Sequence, residues 1–346
     1  MTIAVVMIEK EGLSSRLIAE QVADALEARG RPVRRVLAPF KNSQPFPQAE
    51  LHQARVLNFC EHHTPGVMQG IRYTRPKALV SVFLSHWAEY ELPFQLAYAG
   101  VLAKGKFHGV PVRHVSVSPA AHAGMLESWR ETLSPSFLRQ LQPLLATVPL
   151  GVEPDFTPGD NDPDRLIVPA NRFSKWGKDL ARNGEVTRAY LDWAKAKGWA
   201  PLVQMYHAPG FGPEKKSYAK EFAHWQFAEQ PPDRATYQAN ARAHGMFLCT
   251  STGESFGLYY LELLASGCVG VFLDQPWVRA LLPGYPFIAK AGELLSLLAW
   301  VRLNHAEAKA RLEAETIPFI HLTYSMPRFV RQLETLVDDL APGVTP

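Results

Sequence analysis

Short apolar runs that alternate with helix-like segments restrict the fold of this chain more than any other feature. Residues 3–8 form an uninterrupted apolar run, which is typical of a buried strand. Residues 14–29 have the spacing of an amphipathic helix that Gly30 would end, and residues 33–37 form a second apolar run. A strand, a helix and a second strand with a short return indicate a parallel pair joined by a right-handed crossover.

The same alternation continues along the chain. In the first part, strands are predicted at residues 78–84 and 112–117, with a helix at residues 92–102 between them. In the second part, strands and helices alternate strictly, beginning with a strand, over residues 165–168, 185–197, 202–206, 236–243, 246–250, 258–265, 269–273 and 293–305. This order favours two doubly wound α/β domains, each with a mostly parallel sheet.

A proline- and glycine-rich stretch at residues 148–158, followed by the polar residues 160–164, is typical of a linker. The 346 residues suffice for two domains of ordinary size. We therefore expect an N-terminal domain at residues 1–150 and a second domain that begins at residue 151. Two open α/β domains that face each other would leave a cleft at the carboxyl ends of their strands, where ligands bind in such folds.

Composition and cysteine usage argue against several classes of protein. Cys60, Cys249 and Cys268 show no paired spacing, so neither a disulfide framework nor a zinc site is indicated. We expect a cytoplasmic protein, because unpaired cysteines suit a reducing compartment. No apolar run approaches the length of a membrane span, and the apolar N-terminus lacks a basic leader. The net charge of +3 permits an anionic partner without requiring one.

The segment from Glu254 to Glu262 carries the strongest functional signal. It follows a predicted strand, contains Gly257 in a loop, and continues into a predicted helix. The start of such a helix presents free backbone N–H groups and a partial positive charge, which suit a phosphate or diphosphate. The two flanking carboxylates can accept hydrogen bonds from sugar and ribose hydroxyls, so the segment predicts a nucleotide-sugar pocket.

Simpler interpretations of these residues stay open at this point. A glutamate at a helix start can serve only to complement the helix dipole, and a glutamate eight positions later can be an ordinary solvated residue. Other polar residues also follow predicted strands, however. They occupy the loops at residues 85–88, 118–122 and 171–178, which would lie at the same ends of the sheets as Glu254.

Four segments resemble the retaining GT-B glycosyltransferases of the glycogen-synthase and sucrose-synthase type. Residues 149–156 are similar to the hinge signature of that family, and residues 171–177 to its diphosphate-gripping loop. Residues 254–262 fit its motif of two glutamates with seven residues between them, and residues 265–269 resemble the turn that follows. The resemblance covers residues 145–275 well and the first domain only weakly.

The resemblance implies a GT-B fold, in which two Rossmann-like domains face a cleft and a C-terminal helix crosses back to the first domain. The second domain would then end near residue 325, and residues 326–346 would form the crossing helix. In the cleft, Arg172 and Lys175, or Lys178 in place of one of them, would neutralise the donor diphosphate. A fixed cation stabilises the negative charge that grows on this leaving group.

The resemblance also assigns the two glutamates and the loop between them. Glu254 would bind hydroxyls of the transferred sugar, and Glu262 would bind the ribose. Backbone N–H groups would complete the grip on the diphosphate; they belong to Phe256, Gly257 and Leu258. Because arginine and lysine take the place of a metal in this family, we expect neither a metal ion nor a cofactor other than the donor.

A histidine of the first domain approaches the transferred sugar in this family, and the sequence offers several candidates. His86 and His122 each follow a predicted strand, and His62–His63 is a third possibility. Any of these could equally be an ordinary loop residue. The first loop carries Ser14, Ser15 and Arg16 where relatives usually have a glycine pair, which leaves the contacts to the acceptor undefined.

The leading hypothesis is a retaining transferase that moves a hexose such as glucose from a UDP-sugar to a hydroxyl acceptor. The acceptor would be a glycan or glycolipid. As a minority hypothesis it would be hydroxymethylated DNA, because arginines cluster at residues 29–35. The aromatic residues 222–227 could stack on bases or sugars, although such a cluster more often serves packing. A nucleotide-sugar epimerase and a non-catalytic nucleotide-sugar binding protein are the alternatives. An NAD oxidoreductase is disfavoured, since no Gly-x-Gly-x-x-Gly follows a strand.

Overall fold

The computed structural model describes most of the chain, and the account below concerns these residues. They are residues 2–9, 14–39, 46–60, 73–84, 92–103, 106–107, 109–169, 179–207, 218–229, 231 and 233–340. The chain divides into two compact units. The N-terminal unit contains Met1–Gly151 together with Met326–Pro346, and the second unit is Val152–Ser325.

The N-terminal unit alternates strands and helices as the sequence predicts. Its elements before residue 152 are β1 (Ile3–Ile8), α1 (Ser14–Ala28), β2 (Val33–Ala38), a 3-10 turn (Gln48–Leu51), β3 (Arg55–Asn58), β4 (Ala78–Phe83), α2 (Leu92–Ala103), β5 (Lys106–Phe107), β6 (Val110–Ser116), α3 (Pro119–Thr132), α4 (Pro135–Leu141), a second 3-10 turn (Gln142–Leu144) and β7 (Leu145–Thr147). Gly30 follows α1 with φ +76, and its amide bonds to the carbonyl of Glu27, as a helix-ending glycine does.

The sheet of this unit has the order β2-β1-β3-β4-β6, and all of these strands are parallel. At its far edge β6 also pairs with β7 in parallel and with the two-residue β5 in antiparallel. The sequence analysis missed β3, which lies between β1 and β4. With only four residues, one of them Arg55 and another Asn58, it lacks the apolar run that marks the neighbouring strands.

The second unit continues the alternation. Its elements are β8 (Asp162–Val168), α5 (Leu180–Ala196), β9 (Leu202–His207), α6 (Tyr218–Glu221), β10 (Gln226–Glu229), α7 (Arg234–Ala243), β11 (His244–Cys249), α8 (Leu258–Ala265), β12 (Val269–Leu273), α9 (Pro276–Leu281), β13 (Ile288–Ala289), a 3-10 turn (Ala291–Glu293), α10 (Leu294–Leu303), α11 (His305–Arg311), a π-helical turn (Leu312–Thr316) and α12 (Ile317–Thr323).

All six strands of the second unit are parallel, in the order β10-β9-β8-β11-β12-β13. This is the strand order of a Rossmann fold, and it reverses direction between β8 and β11. Together with the first sheet, it confirms the prediction of two doubly wound α/β units. In open sheets of this kind, ligands bind at the carboxyl ends of the strands that flank the reversal.

A buried asparagine ties the amino ends of these two strands to the end of α8. The side-chain amide of Asn161 donates to the carbonyl oxygens of His244 and Ser266, at 3.0 and 2.9 Å. Its side-chain oxygen accepts from the amide of Gly159 at 3.2 Å. Asn161 is completely buried, so these bonds satisfy a polar group that would otherwise destabilise the core.

The aromatic segment at residues 222–227 belongs to the packing of the second unit. Phe222 and Trp225 stack with ring centroids 4.3 Å apart, and both are almost fully buried. The indole N–H of Trp225 donates to the hydroxyl of Thr187 at 2.9 Å. The faces of these two rings are already covered, so the structure supports packing and not stacking on bases or sugars.

The last helix, α13 (Met326–Asp339), belongs to the N-terminal unit. It packs against α1, β3 and β4. One face is buried, at the spacing of an amphipathic helix; it consists of Met326, Phe329, Val330, Leu333 and Val337. Charged side chains at its end reach arginines in the turn between α1 and β2. Glu334 pairs with Arg29 at 3.0 Å and with Arg31 at 3.2 Å.

Asp338 completes this network of ion pairs. Its carboxylate bonds to Arg31 at 2.9 Å and also to the guanidinium of Arg55, which is almost completely buried in β3. The other two arginines of the cluster are paired as well, Arg34 with Glu50 and Arg35 with Asp24 and Glu27. The arginine cluster at residues 29–35 thus has carboxylate partners within its own unit.

Replacing Asp338 by asparagine should destabilise the N-terminal unit. The substitution leaves the buried Arg55 guanidinium without its charged partner on α13, and we expect the free energy of unfolding to fall by about 1–2 kcal/mol, since Asp338 itself is partly exposed. Urea unfolding measures this change. Asp339→Asn is the matched control, because the next residue is exposed and has no ion-pair partner among the described residues. Equal stability of the two variants would contradict the prediction.

Candidate functional site

The candidate site lies at the carboxyl ends of β8 and β11, where the strand order of the second unit reverses. A small cavity opens there. Its lining includes Pro169 after β8, Asn183 on α5, and Thr250 and Ser251 after β11, with Tyr260 of α8 at its base. This is the place where open α/β sheets bind ligands, and the loop after β11 leads from it into α8.

Gly257 shapes the loop that leads into α8. Its φ of +88 lies in the left-handed region, which side-chain-bearing residues rarely adopt. A Cβ atom at this position would also come within 3.1–3.3 Å of the side chains of Tyr260, Trp277 and Leu281. Both the backbone conformation and the surrounding packing therefore require a glycine at this position, which the sequence analysis assigned to a loop.

The backbone N–H groups at the start of α8 are available to a ligand. In the part of the chain that the structure describes, the amides of Gly257, Leu258 and Tyr259 make no hydrogen bond. They combine with the helix dipole to form a positively polarised end. Phe256 contributes only its backbone to this region, because its side chain is buried and meets the ring of Tyr324 edge-on at 5.5 Å.

A network of hydroxyl groups holds the first glutamate. The hydroxyl of Tyr260 donates to Oε1 of Glu254 at 2.8 Å, and Oγ of Ser251 donates to the same oxygen at 3.3 Å. Ser251 and Tyr260 also bond to each other at 2.7 Å. The indole N–H of Trp277 donates to the carbonyl of Ser251 at 3.1 Å and fixes the backbone of the loop.

The second glutamate, Glu262, lies within α8 in a partly buried position. Its Oε2 accepts a hydrogen bond of 2.6 Å from the hydroxyl of Tyr237. Burial raises the pKa of Glu262 to about 7, although the bond from Tyr237 and the charge of Arg234 act to lower it. The nearby carboxylates of Asp155 and Glu153 raise the pKa further.

Arg234 is itself fixed beside this carboxylate. Its guanidinium lies over the ring of Phe156 at 5.0 Å from the centroid, and it pairs with Asp155 at 3.2 Å. Phe156 is fully buried and meets Tyr237 edge-on at 5.9 Å. The helix α7 therefore supplies both the hydroxyl and the positive charge that face Glu262.

The structure places five of the predicted site residues on one continuous loop and helix. These are Glu254, Phe256, Gly257, Leu258 and Glu262. The predicted diphosphate-binding residues Arg172, Lys175 and Lys178 lie outside the described residues. The same is true of His86 and of His62–His63, so their predicted roles stay predictions.

His122 is the one described member of the histidine candidates. It lies in the first turn of α3, where it is half-buried, and its Nδ1 has no hydrogen-bond partner within the described ranges. Burial lowers the pKa of His122, which favours the neutral imidazole. A neutral imidazole with an unbonded ring nitrogen can exchange hydrogen bonds with a hydroxyl group.

A buried polar row lies behind His122 and was not anticipated from the sequence. Asn58, Ser81 and His114 are in register across β3, β4 and β6. The ring of His114 bonds to Tyr98 at 3.2 Å and to Ser116 at 3.1 Å. Burial lowers the pKa of His114 to about 3, so it stays neutral and is a structural group of this sheet.

The tyrosines that hold the two glutamates were also missed. Tyr260 lies within the predicted motif, but a tyrosine in an apolar helical run gives no sign that its hydroxyl reaches back to Glu254. Tyr237 stands 25 positions before Glu262, and only the fold brings them together. Within the described residues there is no group of three or more side chains that could hold a metal ion, and no helix long and apolar enough to cross a membrane.

No protein-family model and no curated protein matches this chain. Solved structures do match, and several of them do so over nearly the whole length of both chains. Sucrose-phosphate synthase from Thermosynechococcus elongatus superposes with a TM-score of 0.68 at 12% identity, covering 98% of this chain and 99% of that protein. α,α-Trehalose 6-phosphate synthase from Burkholderia multivorans gives 0.66 at 11% identity, covering 98% of each chain.

A third match is a structure with a ligand. Anabaena HepE, solved in complex with UDP and glucose, superposes with a TM-score of 0.64 at 12% identity and covers 97% of this chain and 99% of that protein. At these identities the likeness establishes the fold alone. The chain has the two-domain GT-B fold of these proteins, as the sequence resemblance implied.

The raised pKa of Glu262 should make the stability of the second unit depend on pH. Between about pH 4.5 and pH 7 the folded protein keeps a proton that the unfolded chain releases, so the free energy of unfolding falls as the pH rises. Across this window the loss should be about 1–3 kcal/mol. Glu262→Gln, which cannot ionise, should remove this part of the dependence.

Urea unfolding at pH 5 and pH 8 measures the effect. Glu307→Gln is the control, because Glu307 is an exposed glutamate of the same unit. The change in stability between the two pH values should be smaller in Glu262→Gln than in the wild type and in the control. An identical change in all three proteins would show that Glu262 ionises normally.

Proposed function

We propose that this chain is a retaining glycosyltransferase that moves a hexose such as glucose from a UDP-sugar to a hydroxyl acceptor. The observation that carries the proposal is the arrangement of Glu254 before α8 and Glu262 within it, at the reversal point of a parallel sheet. Between them lie backbone amides that bond to no described residue. The arrangement offers acceptors for neutral hydroxyls and donors for an anion, which is the chemistry of a nucleotide sugar.

Each part of the donor has a matching group. The amides of Gly257 and Leu258 would bind the diphosphate, together with the predicted cations Arg172 and Lys175 or Lys178. Glu262 would accept hydrogen bonds from the ribose, and Glu254 from hydroxyls of the sugar. That HepE, which shares the fold, was solved with UDP and glucose supports a donor of this kind.

The proposed reaction is a front-face displacement. The bond between the anomeric carbon and the diphosphate oxygen breaks, and the acceptor oxygen bonds to that carbon on the same face, so the configuration is retained. The proton of the acceptor hydroxyl passes to the departing phosphate, and no enzyme nucleophile is needed. The helix start and the predicted cations stabilise the charge that grows on the diphosphate.

On the acceptor side, His122 or His86 would bond to hydroxyls of the reacting sugars. A glycan or glycolipid acceptor fits better than DNA, because Arg29 and Arg31 are held by carboxylates of α13 and are less available to a polyanion. Hydroxymethylated DNA stays the minority candidate. We also propose a cytoplasmic location, which suits three buried cysteines, Cys60, Cys249 and Cys268, that form no disulfide.

Binding measurements with UDP-, GDP- and ADP-sugars test the donor assignment. Calorimetry should show binding of a UDP-sugar, and Arg172→Ala should abolish most of it, because the diphosphate loses a charge partner. Hydrolysis of the donor without acceptor would distinguish a transferase from a binding protein, and conversion of the bound sugar to its epimer would support an epimerase instead. No binding to any nucleotide sugar would reject the proposed function.

Glu254→Ala should remove turnover while leaving the fold and the binding of UDP intact. Loss of a group that contacts the transferred sugar should lower kcat by about 100-fold or more. Donor consumption and UDP calorimetry on the same protein measure the two effects separately. Normal turnover in both Glu254→Ala and Arg172→Ala would rule out this site.

A further inference from the structure

Each glutamate of the candidate site accepts a hydrogen bond from a different tyrosine. Tyr260 donates to Glu254 at 2.8 Å, and Tyr237 donates to Glu262 at 2.6 Å. A carboxylate at the surface can ordinarily rotate among several side-chain conformations. A strong bond from a fixed donor removes that freedom before a ligand binds, which is the physical basis of preorganisation.

Tyr260 is a fixed donor because its ring is part of the core. The ring is almost completely buried and packs against Phe247, Phe272 and Trp277, with centroids 5.6–6.1 Å apart. Burial raises the pKa of Tyr260 well above its usual value, so the hydroxyl keeps its proton. A small shift of this ring would therefore displace the carboxylate of Glu254.

Tyr237 is held in a different way, between two aromatic rings of the same unit. It contacts Phe156 and Tyr259, each at 5.9 Å between centroids. Its hydroxyl donates a hydrogen bond to Oε2 of Glu262, while Oε1 of Glu262 has no hydrogen-bond partner among the described residues. One oxygen of this carboxylate is thus committed to the protein, and the other is left for a ligand.

We infer that Tyr260 and Tyr237 are positioning residues with separate tasks: Tyr260 orients Glu254 toward the transferred sugar, and Tyr237 orients Glu262 toward the ribose. This inference rests on the proposed function, in which the two glutamates bind these two parts of the donor. The tasks are separable because Tyr260 donates to the first carboxylate and Tyr237 to the second.

The separation predicts that the two tyrosine variants differ in how they bind UDP and UDP-glucose. Tyr237→Phe should weaken both ligands equally, by about tenfold, because both carry the ribose. Tyr260→Phe should leave the Kd for UDP within about twofold of the wild type and reduce the additional affinity that the glucosyl group provides by about tenfold.

A pH profile gives a second signature for Tyr237. Its hydrogen bond lowers the pKa of Glu262, as does Arg234, against the opposing effects of burial, Asp155 and Glu153. Without the hydroxyl, Glu262 should keep its proton to higher pH. The pH at which UDP binding reaches its plateau should therefore move upward in Tyr237→Phe and stay unchanged in Tyr260→Phe.

Calorimetry on the full chain, with UDP and UDP-glucose between pH 6 and pH 9, tests both signatures. Tyr285→Phe is the matched control. Tyr285 is also a buried tyrosine of the second unit, and its hydroxyl bonds to the backbone of Gly270 at 2.9 and 3.1 Å, away from the two glutamates. The control should bind both ligands as the wild type does at every pH.

The possible outcomes separate this inference from the proposed function. A wild type that binds neither UDP nor UDP-glucose overturns both. A wild type that binds UDP-glucose more tightly than UDP, with both tyrosine variants matching the control, overturns only the positioning roles. Equal losses for both ligands in both variants would also overturn them, since a general structural defect would then explain the result. The two distinct patterns of loss would support the inference.

Discussion

The close contact between β8 and β11 is the constraint on which the candidate site depends. A Cβ atom at Gly245 would lie 2.4 Å from the carbonyl oxygen of Asp162, so only glycine lets the two strands approach in this way. Asn161 fastens the same region to Ser266 at the end of α8. Because α8 has only eight residues, fixing its end also fixes its start at Gly257.

The electrostatics of the site follow from this packing. Tyr260 and Tyr237 contribute their rings to the packing of the second unit, and their hydroxyls bind the carboxylates of Glu254 and Glu262. Burial raises the pKa of Glu262 and so disfavours its ionised form. The hydrogen bond from Tyr237 and the charge of Arg234 act against that rise. Packing and charge are therefore not independent here, since the same side chains determine both.

The sequence predicts those parts of the molecule that are determined by residues close together in the chain. The strands and helices have their own periodicity, and the spacing of Glu254 and Glu262 is contained in one segment. The sequence analysis missed β3, because Arg55 interrupts the apolar pattern of this strand. The partner that lets Arg55 be buried there is Asp338, 283 positions later. Tyr237 was missed for the same reason. Contacts between distant positions leave no periodic trace in a single sequence.

The second unit is inserted between two segments of the N-terminal unit. The chain enters it at Val152 and leaves it at Ser325, and these two residues pair with each other as a parallel bridge. The last helix then returns to complete the N-terminal unit. In topological terms the second unit is an insertion with adjacent ends. It could be excised with little disturbance to its own boundaries, whereas the host unit is assembled from segments on both sides of the insertion and closes only when α13 is in place.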